Sequence, residues 1–405
     1  MTKTSTALAG IVGLLAIAGS ALGFGSGTIV LMRGGDATNS QSTLSAGEVP
    51  AYLDEYSVSI DALGNATTSL VSSYAIPTST LTLPGIAQNN HEGRLNLSAN
   101  GQYLNFAGYQ QPVGATTRTT ASNGTGSYYQ VGQVSAGGIF TSTALDTSVA
   151  KPQYMRAAYS INGTQAWVAS KNPTGGLEYI SNFGTGSAAT TALQSTTDWR
   201  DIKVSAGQLY GGTGSSSVGT HGFYAIGSGT PTSATPSNTL LTNSSDNSIS
   251  AFSFATLPAG GAQPINGASG ANVVYGIGDP SGNRFIAKLY SPTGSSALTT
   301  NNLAFAGGSR LAIPSIPSVE GIIAQPDATN AAWVDLYIQA TDGVYFTIDK
   351  SGTADGSIAA LTFTKIISTT SDTAFYGIAP SPVPAPSAIA LVALGGVATG
   401  RRRRR

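Results

Sequence analysis

From Thr28 onward the chain is written in short runs that alternate apolar and polar positions, broken every few residues by Gly, Asn, Ser or Pro. A period of two turns one face of each run toward a core, so the pattern predicts strands. The runs come in pairs: a short first run ending in Ser or Pro, a tight turn, and a second run rich in aromatic and β-branched residues. The pairs are 93–98 with 102–109, 155–160 with 164–170, 199–205 with 207–212, 249–255 with 273–278, and 319–326 with 332–339. Asn100-Gly101 and Asn162-Gly163 stand in two of the turns, and both residue types tolerate the positive φ of a tight hairpin. A third run follows each pair, at 128–134, 177–180, 222–226, 284–290 and 344–348. A weaker fourth is visible at 239–242 and 361–367.

Four-stranded units recurring every roughly 45 to 60 residues predict an all-β fold, a β-propeller in which each sheet buries both faces against its neighbours. The N-terminal runs 28–32, 51–58 and 70–76 lack a first strand, while 374–379 is a first-strand run without partners. Joining them gives a sixth blade and closes the ring through its two ends, leaving no exposed edge. Seven blades are the alternative, with the added strand pair inside 257–271. A β-sandwich of this length would need two domains, and no linker divides 24–379; a solenoid would repeat in shorter, stricter units.

Composition narrows the function. The 405 residues include 51 Gly, only 9% are charged, and there is no Cys. Disulfides, thiolate metal sites and a cysteine nucleophile are thereby excluded. Formal charge is +0, but Lys3 and Arg401 to Arg405 lie in terminal segments without acidic residues. Setting those six aside leaves 13 of the 19 basic residues against 19 acidic ones, a net of −6. An acidic body without a basic stripe excludes nucleic acid as a partner.

The two ends carry addresses. Lys3 precedes an uncharged apolar run from Ala7 to Leu22 and then small residues, the layout of a secretory signal peptide spanning 1–23, with cleavage expected between Ala18 and Gly23. At the other end, 380–405 holds a spacer with Pro380, Pro382, Pro384 and Pro386, an apolar stretch from Ser387 to Gly400, and the five arginines. The arginines would keep the end of an apolar helix in the cytoplasm. Pro384-Ala385-Pro386, the apolar stretch and Arg401, Arg402, Arg403, Arg404 and Arg405 together resemble the PEP-CTERM sorting signal of exopolysaccharide-producing Gram-negative bacteria, with Ala385 in place of the usual central Glu. That resemblance implies an exosortase-type sorting machinery as partner, contact with the inner membrane through the helix before processing, and a final place at the cell surface, in the envelope or in the extracellular matrix. The segments 29–36, 51–56 and 92–104 are also similar to a family of exported β-propeller-like bacterial proteins, many with such tails. This second resemblance implies fold and location and leaves activity open.

Chemistry is sparse. Only His91 and His221 are present, neither in a metal-ligand spacing, and no Gly-Xaa-Ser-Xaa-Gly elbow is followed by the acid and base of a triad. No catalytic residue, metal or cofactor is expected. The segment 214–219 reads as a polar turn, and 279–283 and 327–330 as oxygen-rich hairpin turns, short of the ligand count of a calcium loop. Asn65, Asn96, Asn123, Asn162 and Asn243 stand in glycosylation triplets.

The sharpest internal signal comes from overlaying the first strands. Arg94, Arg156 and Arg200 fall at one equivalent position, which Glu320 and Tyr376 hold in other blades. First strands line a propeller's channel, so these side chains are expected to converge on the axis. Guanidiniums so gathered need carboxylates, from Glu320 and Asp201 or from an acidic ligand such as a uronic acid unit of exopolysaccharide. The expected function is a non-catalytic envelope or matrix protein that contacts acidic polysaccharide. The alternative is a carbohydrate-active enzyme, lyase or glycoside hydrolase, at the propeller mouth with Asp201 and Glu320 as its carboxylates.

Overall fold

The computed structural model describes residues 23–384 apart from 26, 89–90, 117–128, 146–153, 172–175, 188–189, 195–197, 215–220, 235, 243–247, 267–269, 280–281, 294–297, 300 and 309. The export segment through residue 22, the tail from Ala385 to Arg405, most of the 214–219 turn, and the triplets at Asn123 and Asn243 lie outside the described residues. Among the described residues no helix is long and apolar enough to cross a membrane.

The described chain is all-β, built of four-stranded antiparallel sheets that resemble a propeller. The first sheet runs Ala374–Pro380, Thr28–Gly34, Glu48–Ile60, Ala66–Ala75. The second runs Asn96–Leu97, Tyr103–Tyr109, Tyr129–Ser135, Phe140–Ala144, and Thr82–Pro84 bridges it to the first. Next come Tyr154–Ser160, Ala166–Lys171, Leu177–Ile180 and Thr190–Gln194, then Trp199–Ser205, Gln208–Thr213, Gly222–Ile226 and Asn238–Leu240. The fifth sheet is Ala251–Ala255, Val273–Gly278 and Phe285–Pro292 with short pieces on its far edge. The sixth is Val319–Pro326, Val334–Ala340, Gly343–Asp349 and Thr364–Ser368.

These boundaries follow from side-chain size and placement. Where aromatic and β-branched residues alternate, both faces bury: Leu336 and Ile338 pack against the fifth sheet while Tyr337 turns to the first. The fourth strands Phe140–Ala144 and Thr190–Gln194 are Thr- and Ser-rich, with too little apolar alternation to stand out in the sequence. The expected strand 93–98 shrinks to Asn96–Leu97, because residues 93–95 spend their backbone on the neighbouring sheet, with Arg94 N–H bonding Arg156 O at 2.9 Å. Among its described residues the 257–271 segment yields Ala262–Gln263, which pairs with the edge of Phe285–Pro292.

The apolar interior is divided into clusters, each between one sheet and the next. Met32 and Leu53 meet Leu104 and Phe106; Tyr109 and Val131 meet Met155 and Val168; Trp167 meets Trp199 and Leu209. Tyr210 and Phe223 meet Phe252 and Val274; Tyr275 and Ile277 meet Ile322 and Leu336; Tyr337 and Phe346 meet Ile29 and Leu31.

First strands also touch in sequence. The last approach is close: a Cβ added at Gly377 would lie 2.3 Å from Leu95 N and 2.9 Å from Gly93 O. Those neighbours are backbone and cannot swing aside. Gly377→Ala is therefore expected to cost about 3 kcal/mol, read as a lowered urea midpoint with an unchanged slope.

Candidate functional site

The overlaid residues share a backbone device. Arg156 is the extra residue where pairing jumps from Ala157↔Ala169 to Met155↔Ser170. Arg200 lies between Trp199↔Thr213 and Asp201↔Gly212, and Glu320 between Val319↔Ala340 and Gly321↔Gln339. Tyr376 lies between Phe375↔Arg33 and Gly377↔Met32. Each is thus a β-bulge, which leaves one residue out of the ladder and re-aims its side chain. Arg94 precedes its strand by two positions and meets the same network from backbone that bonds the neighbouring sheet at Arg156.

The bulged side chains are knitted from sheet to sheet. Arg94 donates through Nη1 to the Glu320 carbonyl, and its Nη2 lies 3.5 Å from Glu320 Oε2. Arg156, fully buried, pairs with Asp198 at 2.9 Å and feels the field of Glu92. Arg200 donates to Ser250 Oγ at 2.9 Å and to the Gly214 carbonyl at 3.0 Å. Asp201 Oδ1 accepts from Asn96 Nδ2 at 3.2 Å, and its Oδ2 from Lys203 Nζ at 3.0 Å. Lys203 also donates to the Phe252 carbonyl of the fifth sheet. Four cations, Arg94, Arg156, Arg200 and Lys203, thus stand among four carboxylates, Glu92, Asp198, Asp201 and Glu320.

Burial works against the charges of the three arginines. It lowers the pKa of Arg94 and Arg156, and that of Arg200 to about 10 with Arg156 adding to the effect; at about 10, Arg200 stays cationic at neutral pH. Burial alone would raise Glu320, but His91, Arg94 and Arg200 together hold it below the usual carboxylate range. His91 sits at φ 63° with Nδ1 2.8 Å from Glu320 Oε2. Burial pulls its pKa down to about 4 against the pull of Glu320. The neutral ring therefore donates Nδ1–H to an ionised carboxylate. The sequence sets His91 just before an inner strand, on a loop or facing the propeller mouth; no local pattern says that Glu320, far along the chain, comes to meet it.

Tyr376 shares the bulge but not the network. Its ring is fully buried in the cluster between the first and second sheets, and its hydroxyl bonds the Pro84 carbonyl and accepts from Gln41 Nε2 at 2.9 Å. An aromatic ring gains more from that apolar slot than from a place among ions.

Little space remains at the axis. Arg94, Asn96, Asp201, Lys203, Glu320 and Gly377 surround a cavity of about 10 Å³, room for one water. On one side it widens to a bowl of about 210 Å³ walled by Leu97, Tyr159, Val204, Phe254 and Ala324 with Lys203 at its base.

The other expected features are ordinary turns. Asp327 Oδ1 accepts from Thr329 N at 2.7 Å and Asn330 N at 2.8 Å, an Asx turn. Asp279 pairs with Arg284 at 3.1 Å, and part of its turn lies outside the described residues. Asn96 is buried, which closes that triplet to a glycan in the folded chain. No group of three His, Cys, Asp or Glu suited to a metal occurs among the described residues.

Fold and site define a class: an all-β protein of repeated, propeller-like sheets with a buried ion network where the first strands meet. No protein-family model matches the sequence, and no curated protein does. Among solved structures, a putative gluconolactonase aligns over 68% of this chain and 77% of its own, at 10% identity and a TM-score of 0.38. A chain from a study of two prolyl endopeptidases aligns over 80% of this chain and 50% of its own, at 10% identity and a TM-score of 0.28.

Proposed function

We propose that the chain is a non-catalytic exported protein whose six sheets form a closed propeller with a plugged axis, displayed at the cell surface, in the envelope or in the extracellular matrix. Closure is supported by the pairing of Ala374–Pro380 with Thr28–Gly34 and by the apolar cluster joining the sixth sheet to the first. The observation that carries the functional reading is the matched set of buried ions around a cavity of about 10 Å³. A glycosidase pair needs carboxyl groups about 5 to 9.5 Å apart with sugar and water between them. Asp201 and Glu320 are instead occupied by Asn96 and Lys203, and by His91 and Arg94, with no space for a ring. With the arginines so engaged, the axis offers acidic exopolysaccharide no room.

The export signal and the tail resembling a PEP-CTERM signal support the location, with exosortase-type machinery and the inner membrane as partners during sorting. Cell fractionation with mass determination of both mature termini tests this. The expected result is a body outside the cytoplasmic membrane that has lost the apolar N-terminal run and the arginine cluster. A full-length chain in the cytoplasm would overturn it.

A further inference from the structure

Away from the axis, a cleft of about 840 Å³ opens between the sixth sheet and the hairpin of the first, a size typical of small-molecule sites. Its walls are apolar: Val58 and Ile60 from the hairpin, Trp333 and Ile348 from the sixth sheet. Asp327 and Asp335 also line it. Alternation along Val334–Ala340 sends Val334, Leu336 and Ile338 into the core and Asp335 the other way.

Asp335 is only 6% exposed, and its Oδ1 has no hydrogen-bond partner. Its carboxyl hydrogen-bonds Asp327, whose turn contacts hold that residue below the usual range. Burial, and then the charge of Asp327, push Asp335 up to about 7. The other groups here are Tyr337, Asp61 and Lys350. Tyr337 is raised by burial and by both aspartates, so it stays neutral. Asp61 is spent on Leu63 N at 2.9 Å and Asn65 N at 2.8 Å. Lys350 sets its ammonium 4.7 Å from the Trp333 ring centroid. Three carboxyls against one ammonium exclude an anionic ligand. An unpaired carboxylate oxygen between apolar walls is a standing cost that an entering donor removes.

We propose that this cleft binds a primary amine carried on an apolar body, with the ammonium donating to the Asp335 carboxyl and the body lying against Val58, Ile60, Trp333 and Ile348. Lys350 is the internal precedent, since its own ammonium already uses the Trp333 ring. A divalent cation would find Asp327 and Asp335 bonded to each other and Asp61 held in its own turn. Glycoside hydrolysis would find them in hydrogen-bond contact, closer than the about 5 Å that a retaining pair needs.

The test titrates the full chain with hexylamine, hexanol and hexanoate by calorimetry and tryptophan fluorescence, near pH 8 and near pH 5.5. Of the three tryptophans, Trp167 and Trp199 are fully buried, so Trp333 reports the cleft. Hexylamine is expected to bind at least about tenfold more tightly than hexanol, with no binding of hexanoate. Its affinity should fall about tenfold or more toward pH 5.5, as Asp335 takes up a proton. Asp335→Asn should lose a similar factor and most of the pH dependence, while Trp333→Phe keeps the heat and loses the optical signal. Equal binding of hexanol and hexylamine by the unaltered protein, no binding of either, or unchanged affinity in Asp335→Asn would overturn the proposal. The cleft is separate from the axial ions, so such a failure leaves the plugged-axis reading standing.

Discussion

Ending the chain at Asp372 is expected to abolish the cooperative thermal transition. The lost strand carries Phe375, Tyr376 and Ile378, all buried, and its pairing satisfies the open edge of Thr28–Gly34. Each such side chain contributes about 1.5 to 3 kcal/mol of burial. Unpaired backbone groups would add to the loss, against a net stability of about 5 to 15 kcal/mol for a whole domain. Circular dichroism melting reads the outcome, and a synthetic peptide of residues 373–381 should restore the transition by refilling the edge. A truncated chain that melts like the full one would show that this strand is ornamental and would remove the closed ring.

Glu320→Ala is expected to destabilise the protein by about 3 to 5 kcal/mol, the range for removing one partner of a buried ion pair. Its loss strands Arg94, which lines the same water-sized cavity, and deprives His91 of its acceptor. The companion variant Arg94→Met with Glu320→Met should recover more than half of that loss, since apolar replacement of both partners removes the uncompensated charge. Urea denaturation checks both. Acid should act in the same direction as the single substitution. Glu320 has a lowered folded pKa, so its stabilisation is present above the ordinary carboxylate pKa and is lost as pH falls through the folded one. His91, lowered to about 4 from 6.5, is neutral in the folded state and favours unfolding as pH falls across that interval. Stability declining from about pH 6.5 to pH 4 in the parent and in the double variant alike, followed by a further acid decline from Glu320 in the parent alone, is the expected profile. Equal stability of Glu320→Ala and the parent would mean that the ions at the axis do not hold the sheets.

The run pairs at 155–160 with 164–170 and 319–326 with 332–339 fall close to observed antiparallel neighbours, because alternation and turn chemistry act over a few residues. Arg94, Arg156, Arg200 and Glu320 were also legible as one equivalent position. Their partners were not. Asp198 and Glu92, which both face Arg156, stand before strands of other sheets, Trp199–Ser205 and Asn96–Leu97, at positions that no repeat marks, and nothing local ties His91 to Glu320. The buried set of Lys288, Asp349 and Tyr275 between the fifth and sixth sheets likewise gave no signal, its lysine hidden inside an ordinary strand.

By itself, then, the order of residues marked the paired strands and the third strand that follows them, since these are settled by the local periodicity of apolar side chains and by Gly and Asn at turns. Tertiary structure alone decided where the equivalent side chains point and what they meet. Tyr376 takes an apolar slot while Glu320 enters the ions, although both are bulged alike. Asp327 and Asp335 become a coupled pair facing a hairpin from the opposite end of the chain. Charge pairing and cleft formation depend on distances between segments far apart in sequence, and only the packing of whole sheets sets those distances.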